Sequence, residues 1–421
     1  MSSALSGEQR AATKRGRVAS FVLDDHRYVL LGTSVVAFIG MMLSSQPRPA
    51  LSFLANAFTV ELVMYYLLAA WLVVSAVALV FKLTHWKNYA ATAPFTKPAV
   101  ARVLRYASYV VWAMTLVLIV DRVVMGIASA WQVAVAAESR PTDDMLQSMC
   151  YILWNGRATF ATGLMTTIEL AVFGTVIAFF LALLLVFCRI QTIDRPDNDF
   201  VRFLKVVGCG FAKVYSTVVR GTPMMVQAMI IYFGIFGILR TTDLTTTQIN
   251  TIWSAFVAGL VTITLNSTAY MMEVLRGGIE SVDPGQTEAA RSLGLSQWQA
   301  MRKVVFPQGV KYAIPGLSNE LIINIKDSSV LSVIGTFDLM FANTTVSGIY
   351  YQQFQTSLIV TVVYLILTLV ASWLLGRFAH RFDVKPEPFG STSDQNIVID
   401  EIEPVPVRDG ENHRSGWGQG R

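Results

Sequence analysis

The chain has 421 residues, of which 53% are hydrophobic and only 14% are charged, and its mean hydropathy is +0.50. Soluble domains carry about 25% charged residues, so a chain this long and this poor in charge cannot cover a normal globular surface. The composition therefore argues against a soluble enzyme, a disordered chain and a nucleic-acid-binding domain. The net charge of +5 says less than the positions of the basic residues along the chain.

Eight apolar stretches follow one another along the chain, and a membrane-spanning helix needs about 20 such residues. They predict an all-α integral membrane protein with about eight transmembrane helices. The first stretch is expected to be a retained span rather than a signal peptide, because no small-residue cleavage site follows it. The predicted spans are residues 28–46, 60–81, 107–130, 163–188, 223–239, 251–275, 314–335 and 356–376.

The basic residues fall mainly in alternate loops. The N-terminal tail, the second, fourth and sixth loops and the start of the C-terminal tail hold 24 Lys and Arg residues, against 4 in the other loops. Cytoplasmic loops carry the excess of Lys and Arg in multi-pass membrane proteins. This alternation predicts that both termini face the cytoplasm and that the number of spans is even.

The sixth loop carries dense helix-capping signals. Asp283 is a good N-cap, Pro284 occupies the first helical position and Gln286 completes a capping box. Gly294 can adopt the left-handed conformation that ends a helix. Ser296 then caps a second helix, with another Gln three residues later. The loop is therefore predicted to be a helix, a glycine turn and a second helix.

The surface of this hairpin is unusually apolar for a cytoplasmic loop. One interpretation is that it packs on the membrane surface or on its own spans. The other is that it is a docking helix for a cytoplasmic partner, held in a groove of that partner. The small or apolar residues are Ala289, Ala290, Leu293, Leu295, Trp298 and Met301.

The hairpin resembles the EAA loop of ABC importer permeases. The sequence Glu-Ala-Ala at 288–290 is followed by Gly294 and, later, by a hydrophobic pair and Pro307. The usual pair is Ile and Leu, whereas this chain has Val304 and Phe306. The resemblance implies that one set of residues couples this chain to ATPase subunits. These residues are Asp283, Gly285, Glu288, Ala289, Ala290, Gly294, Leu295 and Pro307.

Further motifs resemble the polar amino-acid permease family, in the order of that family, over residues 160–380. Residues 220–227 read RGTPMMVQ, which is similar to its RGTPxxVQ segment. Residues 270–279 and the Gly-Gln pair at 285–286 also match. Residues 326–330 read KDSSV, which is similar to its Lys-Asp-(Ser/Thr)-Ser-Leu segment with Val330 in place of Leu.

The resemblance implies a type I importer fold with a five-helix core preceded by three added helices. The three added spans resemble the longer permeases of general L-amino-acid systems, the AapM/BztC type. The expected organisation is a cytoplasmic tail at 1–27, three added helices and a periplasmic loop at 28–150, and the permease core at 151–382 with its EAA loop at 281–307. Residues 383–421 are expected to be a disordered cytoplasmic tail.

The resemblance also implies the partners and the location in the bacterial inner membrane. The chain has no GxxxxGK(S/T) motif, so ATP and Mg are expected on partner ATPase subunits and no cofactor on this chain. The expected partners are a homologous second permease subunit, a cytoplasmic ABC ATPase dimer, a periplasmic amino-acid-binding protein and membrane lipid, with no nucleic acid. The implied function is import of L-amino acids by alternating access.

The candidate residues for a substrate pathway each have a simpler alternative. Thr222 can cap the fifth span with Pro223 opening it, and Glu273 can pair with Arg276. The ionisable residues in the added spans, Glu61 and Asp121, are expected to be interfacial or packed on neighbours and receive no transport role. The pathway hypothesis comprises Thr222, Pro223, Gln227, Glu273, Lys326, Asp327 and Ser328.

Lys326 and Asp327 are the strongest pathway candidates because charged groups inside a membrane are costly. They are adjacent, so they cannot both point in one direction from a helix. A Lys and an Asp could meet the carboxylate and the ammonium of an amino acid. A structural ion pair is the alternative.

Other classes of function need features that this sequence lacks. An ion-coupled secondary transporter needs buried carboxylates in matched, broken helices of two halves. A membrane-embedded enzyme needs a catalytic cluster, such as His with Asp or Ser, at one membrane face. Another class of ABC importer permease stays open as an alternative.

Overall fold

The protein is described by a computed structural model over residues 26–85, 94–191 and 198–379. Within these ranges the chain is helical, and no strand occurs. The predicted C-terminal tail and nearly all of the predicted N-terminal tail lie outside the described residues. The described part thus contains the added helices and the predicted permease core.

The first three helices form a bundle of their own, which we call the added bundle. They are α1 (His26–Ser44), α2 (Phe58–Thr84) and α3 (Pro98–Ile119). Helix α1 packs along both α2 and α3, and buries Leu68 and Leu118 from these two helices. The apolar interior shared by the three helices holds the bundle together.

A long helical segment joins the added bundle to the rest of the protein. Helix α3 runs through a π-helical turn (Val120–Val124) into α4 (Met125–Ala136). Helix α4 packs on α5 (Met145–Asn155), which in turn contacts two helices of the following bundle. The added bundle is therefore connected to the following helices through α4 and α5.

The remaining helices, which we call the core, pack around one central helix, α10. Its buried face carries small and polar side chains as well as apolar ones, so neighbouring helices approach it closely. The core helices are α6 (Arg157–Arg189), α7 (Asp199–Arg220), α8 (Met224–Leu239), α9 (Thr246–Ile252), α10 (Ala255–Glu280), α11 (Pro284–Ser292), α12 (Gln297–Ala300), α13 (Phe306–Asp327), α14 (Leu339–Tyr350) and α15 (Gln353–Ala379).

Within the described residues, five helical segments are long and apolar enough to cross a membrane. The number rises to seven if each of two bent pairs counts as one span. The first predicted span falls on α1, whose apolar stretch Gly32–Ser44 is shorter than a span. The membrane-embedded all-α class is confirmed, whereas the number of eight spans stays a prediction. The five segments are Phe58–Thr84, Ala99–Ala136, Arg157–Arg189, Thr246–Glu280 and Gln353–Arg377.

The fourth loop is not a plain connection, because most of it is helix α7. This helix turns by 107° into α8. Its exposed side is apolar and includes Phe203, Phe211 and Val214, while Ala212 and Ser216 are buried against the core. Arg202, Lys205, Lys213 and Arg220, four of the basic residues counted in this loop, therefore lie on a helix whose outward face suits lipid.

The seventh predicted span, residues 314–335, falls on α13 but matches neither of its ends, since the helix begins at Phe306. Helix α13 stops at Asp327, and the chain continues as a 3₁₀ helix (Ser328–Ile334) that ends at Gly335 with φ +84°. Helix α14 then follows at an angle of 54°. The sequence analysis missed α14 because this 12-residue helix is too short to be detected as a span.

Candidate transport pathway and coupling hairpin

The predicted hairpin at residues 281–307 exists, and most of its caps are those predicted. Asp283 caps α11 by accepting a hydrogen bond from the Gly285 amide at 2.7 Å. The predicted reciprocal bond from Gln286 is not formed, so the capping box at this helix was wrong. At α12 the box is complete, because Ser296 and Gln299 bond each other's backbone amides.

Gly294 adopts the predicted left-handed conformation, with φ +84°. Its amide donates to the Arg291 carbonyl at 2.9 Å, and the Leu295 amide donates to the Ala290 carbonyl at 3.2 Å. These two bonds together are a Schellman motif, which satisfies the last carbonyls of a helix. The angle between α11 and α12 is thus fixed by a backbone conformation that a residue with a side chain rarely adopts.

The helices on either side of the hairpin cross at two glycines. A Cβ atom on Gly278 of α10 would lie 2.5 Å from the carbonyl oxygen of Gly309 of α13. A Cβ on Gly309 would lie 2.7 Å from the Cα of Ile279. This close contact joins α10 and α13 next to the hairpin. We call this end of the core the hairpin end, and the opposite end the far end.

Some apolar residues of the hairpin are buried or pack on the core, and others lie at an exposed tip. Ala290 is buried, and the Trp298 ring contacts Phe187 of α6 at a centroid distance of 6.2 Å. Leu293 is 84% exposed, and Glu288 and the Gly294 turn are also exposed. The interpretation that the hairpin packs on its own spans therefore holds for one side, and docking of a partner at the exposed tip stays a prediction.

The predicted role of Thr222 as a helix cap was wrong. Helix α8 begins at Met224 after Pro223, and the Thr222 hydroxyl donates back to the Val218 carbonyl at 2.8 Å. Gln227 holds the α7–α8 corner instead. Its amide donates to the Val219 carbonyl at 2.7 Å and to the Thr222 hydroxyl at 2.8 Å.

Glu273 forms the ion pair that was the simpler interpretation. Its carboxylate lies 2.8 Å from Arg276 and also accepts a hydrogen bond from Ser216 at 3.1 Å. Arg189 of α6 lies 3.9 Å away. Glu273 therefore ties α7, α10 and α6 together near the hairpin end.

A line of polar side chains crosses the middle of the core. Asn266 of α10 donates to Gln227 of α8 at 3.3 Å. The next residue of α10, Ser267, donates to Asn324 of α13 at 2.7 Å, and Asn324 donates to Thr175 of α6 at 2.8 Å. The line thus connects α8, α10, α13 and α6, and only Gln227 had been selected from the sequence.

Three charged residues of α13 make no ion pair within the described residues. Glu320 is 5% exposed and lies one turn before Asn324. Lys326 is exposed and Asp327 is partly buried at the far end of α13, and they do not pair with each other. Ser328 is fully buried and bonds its own helix at Ile325. The alternative of a structural Lys326–Asp327 pair is wrong.

The structure brings some of the predicted pathway residues together and separates others. Gln227 and Thr222 meet at the α7–α8 corner, and Asn266 joins them to the polar line. Glu273 lies toward the hairpin end, while Lys326 and Asp327 lie toward the far end. A polar residue at mid-helix in an apolar stretch, such as Asn266 or Glu320, is the signal that could have found the remaining members.

The charges of the added bundle form a network that the sequence analysis missed. Arg122 bonds both Asp121, its neighbour, and Glu61 of α2. Arg48 bonds Glu61 at 2.8 Å, and Ser52 donates to both oxygens of Asp121. The expectation that Asp121 and Glu61 pack on neighbours is confirmed, since each is satisfied by a partner within this network.

The described residues contain no group of three or more His, Cys, Asp or Glu side chains placed to hold a metal ion. The candidate site therefore consists of the polar line, the three unpaired charges of α13 and the hairpin. Together they place polar groups between the packed core helices, with an exposed hairpin tip at one end.

Comparisons with known proteins agree with this class. The family of binding-protein-dependent transport system inner membrane components matches residues 210–384. An arginine transport system permease protein of Bacillus subtilis is 34% identical over 212 residues, which cover 50% of this chain and 87% of that protein. A glutamine transport system permease protein of Escherichia coli is 37% identical over 176 residues, covering 41% of this chain and 75% of that protein.

A solved structure of an amino acid ABC transporter with histidines is also similar, with 33% sequence identity and a TM-score of 0.47. The match covers all of that chain and 57% of this chain. The chain belongs to the family of binding-protein-dependent transport system inner membrane components.

Proposed function

We propose that this protein is the permease subunit of an ATP-driven importer that moves L-amino acids from the periplasm to the cytoplasm by alternating access. The membership in the permease family and the glutamine and arginine permeases among its relatives support an amino-acid substrate. The observation that carries the proposal is the hairpin, whose tip is exposed while both of its flanking helices carry the polar groups of the pathway.

The hairpin transmits the conformational change of separate ATPase subunits to the permease. Glu288, Ala289 and the exposed Leu293 dock in a groove of the cytoplasmic ATPase dimer, in the manner of an amphipathic helix. The ATPases hold ATP and Mg, and their closure moves the hairpin. Because the Schellman turn at Gly294 fixes the angle of the hairpin, this movement reaches α10 and α13 rather than being absorbed by the loop.

The two flanking helices form the moving walls of the pathway. Their glycine crossing at Gly278 and Gly309 lets them respond as a unit at the hairpin end. Farther along, the same helices carry Ser267 and Asn324 of the polar line. A displacement of the hairpin therefore changes the access to this polar route without a separate linkage.

The unpaired charges of α13 suit the two charges that every amino acid carries. The Lys326 ammonium can bind the substrate carboxylate, and the Asp327 or Glu320 carboxylate can bind the substrate ammonium. Charges inside a membrane that lack protein partners usually face a substrate path or water. Gln227, Thr222, Pro223 and Ser328 contribute the shape and polarity of the route, while Glu273 supports it by joining helices.

The proposed assembly has a second permease subunit opposite this one, an ATPase dimer below and a periplasmic amino-acid-binding protein above. The excess of Lys and Arg in alternate loops supports an orientation with both termini in the cytoplasm and this protein in the inner membrane of a bacterium. A reporter fused after residue 90 or 195 is expected on the cytoplasmic side, and one at residue 145 on the periplasmic side. A cytoplasmic reporter at 145 would contradict this orientation.

Uptake by the reconstituted complex tests the function. The co-purified permease and ATPase subunits are placed in liposomes with ATP inside and the binding protein with labelled glutamine or arginine outside. We expect accumulation that requires ATP and the binding protein and that stops when Leu293→Asp blocks the hairpin tip. Accumulation driven by a sodium or proton gradient without the ATPase subunits would contradict the proposal.

A further inference from the structure

A basic side chain without an acidic partner lies at the break between α7 and α8. Helix α7 ends at Arg220, and the chain turns by 107° before α8 begins at Met224. The Arg220 guanidinium lies over the ring of Tyr270 of α10, with its central carbon 5.3 Å from the ring centroid. Within the described residues this side chain makes no ion pair and no hydrogen bond. The N–H groups of the guanidinium are therefore free to bind a group from outside the chain.

The contact with Tyr270 places this charge deep in the membrane. Tyr270 belongs to the apolar helical segment Thr246–Glu280, which is long enough to span a membrane. At 1.5 Å per residue, it lies about 15 Å from the end of α10 at Glu280 and about 22 Å from its start at Ala255. Because the hydrocarbon region is about 30 Å thick, the guanidinium lies well inside it. A charge at this depth is costly unless it faces protein or water.

The surface around Arg220 is exposed and polar. Arg220 is exposed and Tyr270 is 38% exposed, so the chain itself does not enclose the charge. Hydroxyl and carboxamide groups continue this surface, since Gln227 bonds both the Thr222 hydroxyl and Asn266 of the polar line. Hydrocarbon cannot satisfy an unpaired guanidinium and its polar neighbours. The α7–α8 corner therefore has the character of a wall of a water-filled route.

The chemistry of the corner selects a carboxylate as its ligand. A guanidinium presents paired N–H groups that match the two oxygens of a carboxylate, and it also stacks on aromatic rings. The Tyr270 ring covers one face of the Arg220 guanidinium and leaves its edge open. Lipid phosphates lie at the membrane surface, outside the hydrocarbon region, and so do not reach this depth. The α-carboxylate is the anionic group that every amino acid carries along the route.

We infer that Arg220, held by Tyr270, binds the α-carboxylate of the transported amino acid at a second position on the pathway, which we call the inner site. This inference rests on the proposed function for the identity of the ligand. Tyr270 lies three residues from Ser267 toward the hairpin end. Lys326 lies two residues toward the far end from Asn324, the partner of Ser267. An amino acid that enters from the far end therefore meets Lys326 first and reaches the inner site beyond the polar line.

Binding to the full complex, measured without the binding protein and without ATP, tests the inner site. The quantity measured is the carboxylate preference, which is the affinity for labelled glutamine or arginine divided by the affinity for the α-carboxamide of the same amino acid. The Lys326→Met complex is used so that the other cation of the route does not contribute. We expect this complex to keep a carboxylate preference of roughly 10–150-fold, which corresponds to one charge-assisted contact.

Two substitutions added to the Lys326→Met complex identify the residue. Arg220→Gln removes the guanidinium, and the matched control Lys213→Gln removes an exposed cation of the same helix about two turns away. We expect Arg220→Gln to abolish the carboxylate preference and Lys213→Gln to leave it unchanged. Arg220→Lys keeps the charge but cannot bind both oxygens in the same way, so it is expected to lower the preference even where Arg220→Gln complex does not assemble.

Three results would overturn the inference: no carboxylate preference in the Lys326→Met complex, a preference that Arg220→Gln and Arg220→Lys leave unchanged, or an equal loss with Lys213→Gln. ATP-dependent uptake by the unmodified complex separates the two proposals. Uptake without any effect of Arg220 on the preference removes the inner site and leaves the transport function. A preference that depends on Arg220 in a complex without ATP-dependent uptake leaves the inner site and removes the transport function.

Discussion

The added bundle and helix α13 of the core differ in how their buried charges are paired. In the added bundle, Asp121 and Glu61 are both bonded by Arg122, and Arg48 completes a network of equal positive and negative charge. In the core, Glu273 is paired with Arg276, whereas Glu320 and Asp327 of α13 form no ion pair within the described residues.

This difference predicts which charges are structural and which are functional. A buried ion pair is satisfied within the protein, and removing one partner leaves an uncompensated charge. An unpaired charge in a membrane is expensive and is retained where it meets a substrate or water. The comparison therefore predicts that substitutions in the added bundle change the amount of folded protein, whereas substitutions in α13 change transport.

The largest effect is expected for Arg122→Met. This change leaves both Glu61 and Asp121 without their shared cation, at a cost of about 3–5 kcal/mol. We expect the amount of detergent-stable protein in the membrane to fall sharply. Arg48→Met is the control, because its side chain is 30% exposed and Glu61 keeps Arg122. Equal amounts of both variants would show that the network does not hold the bundle.

The next effect concerns Lys326→Met and Asp327→Asn. Losing a charge-assisted hydrogen bond to the substrate costs about 1.5–3 kcal/mol, which is roughly 10–150-fold in affinity. We expect the amount of assembled complex to stay near that of the unmodified protein, while uptake falls more for some amino acids than for others. Uptake is measured across several amino acids and normalised to complex.

A uniform drop in uptake that follows the protein level would indicate that Lys326 and Asp327 have a structural role. Exchanging the two residues provides a second check. Because they are not paired in the structure, the exchange is expected to restore little. Substantial recovery would contradict the distinction between the two regions.

Gly294→Val tests the rigidity of the hairpin. A β-branched residue in the left-handed conformation costs about 1–2 kcal/mol, which lowers the native hairpin population by a factor of roughly 5–30. We expect lost uptake and lost coupling of ATP hydrolysis with the permease still in the membrane. Gly294→Asn is the control, since Asn tolerates this conformation. Normal uptake by the Val variant would mean that the hairpin angle is unimportant.

The smallest effect is expected for Asn324→Ala, which removes the centre of the polar line. Hydrogen bonds between membrane helices are worth about 0.6 kcal/mol on average, so the thermal stability of the purified complex should drop only slightly. A loss as large as that of Arg122→Met would show that neutral polar groups, rather than the ionic network, dominate the stability of this protein.

Local features of the hairpin could be predicted from the sequence because each depends on neighbours a few residues away. The positive φ of Gly294 and the capping box at Ser296 follow from residue types at fixed spacing. The capping box predicted with Gln286 and the helix cap predicted at Thr222 are not formed, and they show the limit of this reasoning. The Thr222 hydroxyl instead donates to the Val218 carbonyl one turn back, and the Asp283 carboxylate accepts from the Gly285 amide rather than from that of Gln286.

Long-range features could not be predicted from a single sequence. Glu61 and Arg122 are 61 positions apart, and their pairing requires α2 and α3 to pack at a particular depth around α1. The same is true of Ser267 and Asn324. Helix α7 was missed because its basic residues were counted as loop charges, although its apolar residues follow a helical period along one face.

The most direct test of this account compares one residue from each region on the same scale. Amino-acid uptake per assembled complex is measured for Arg48→Met in the added bundle and for Lys326→Met in the core. The account predicts that uptake per complex is unchanged for Arg48→Met, even if less complex forms, and falls about tenfold or more for Lys326→Met. Equal uptake per complex in the two variants would contradict it.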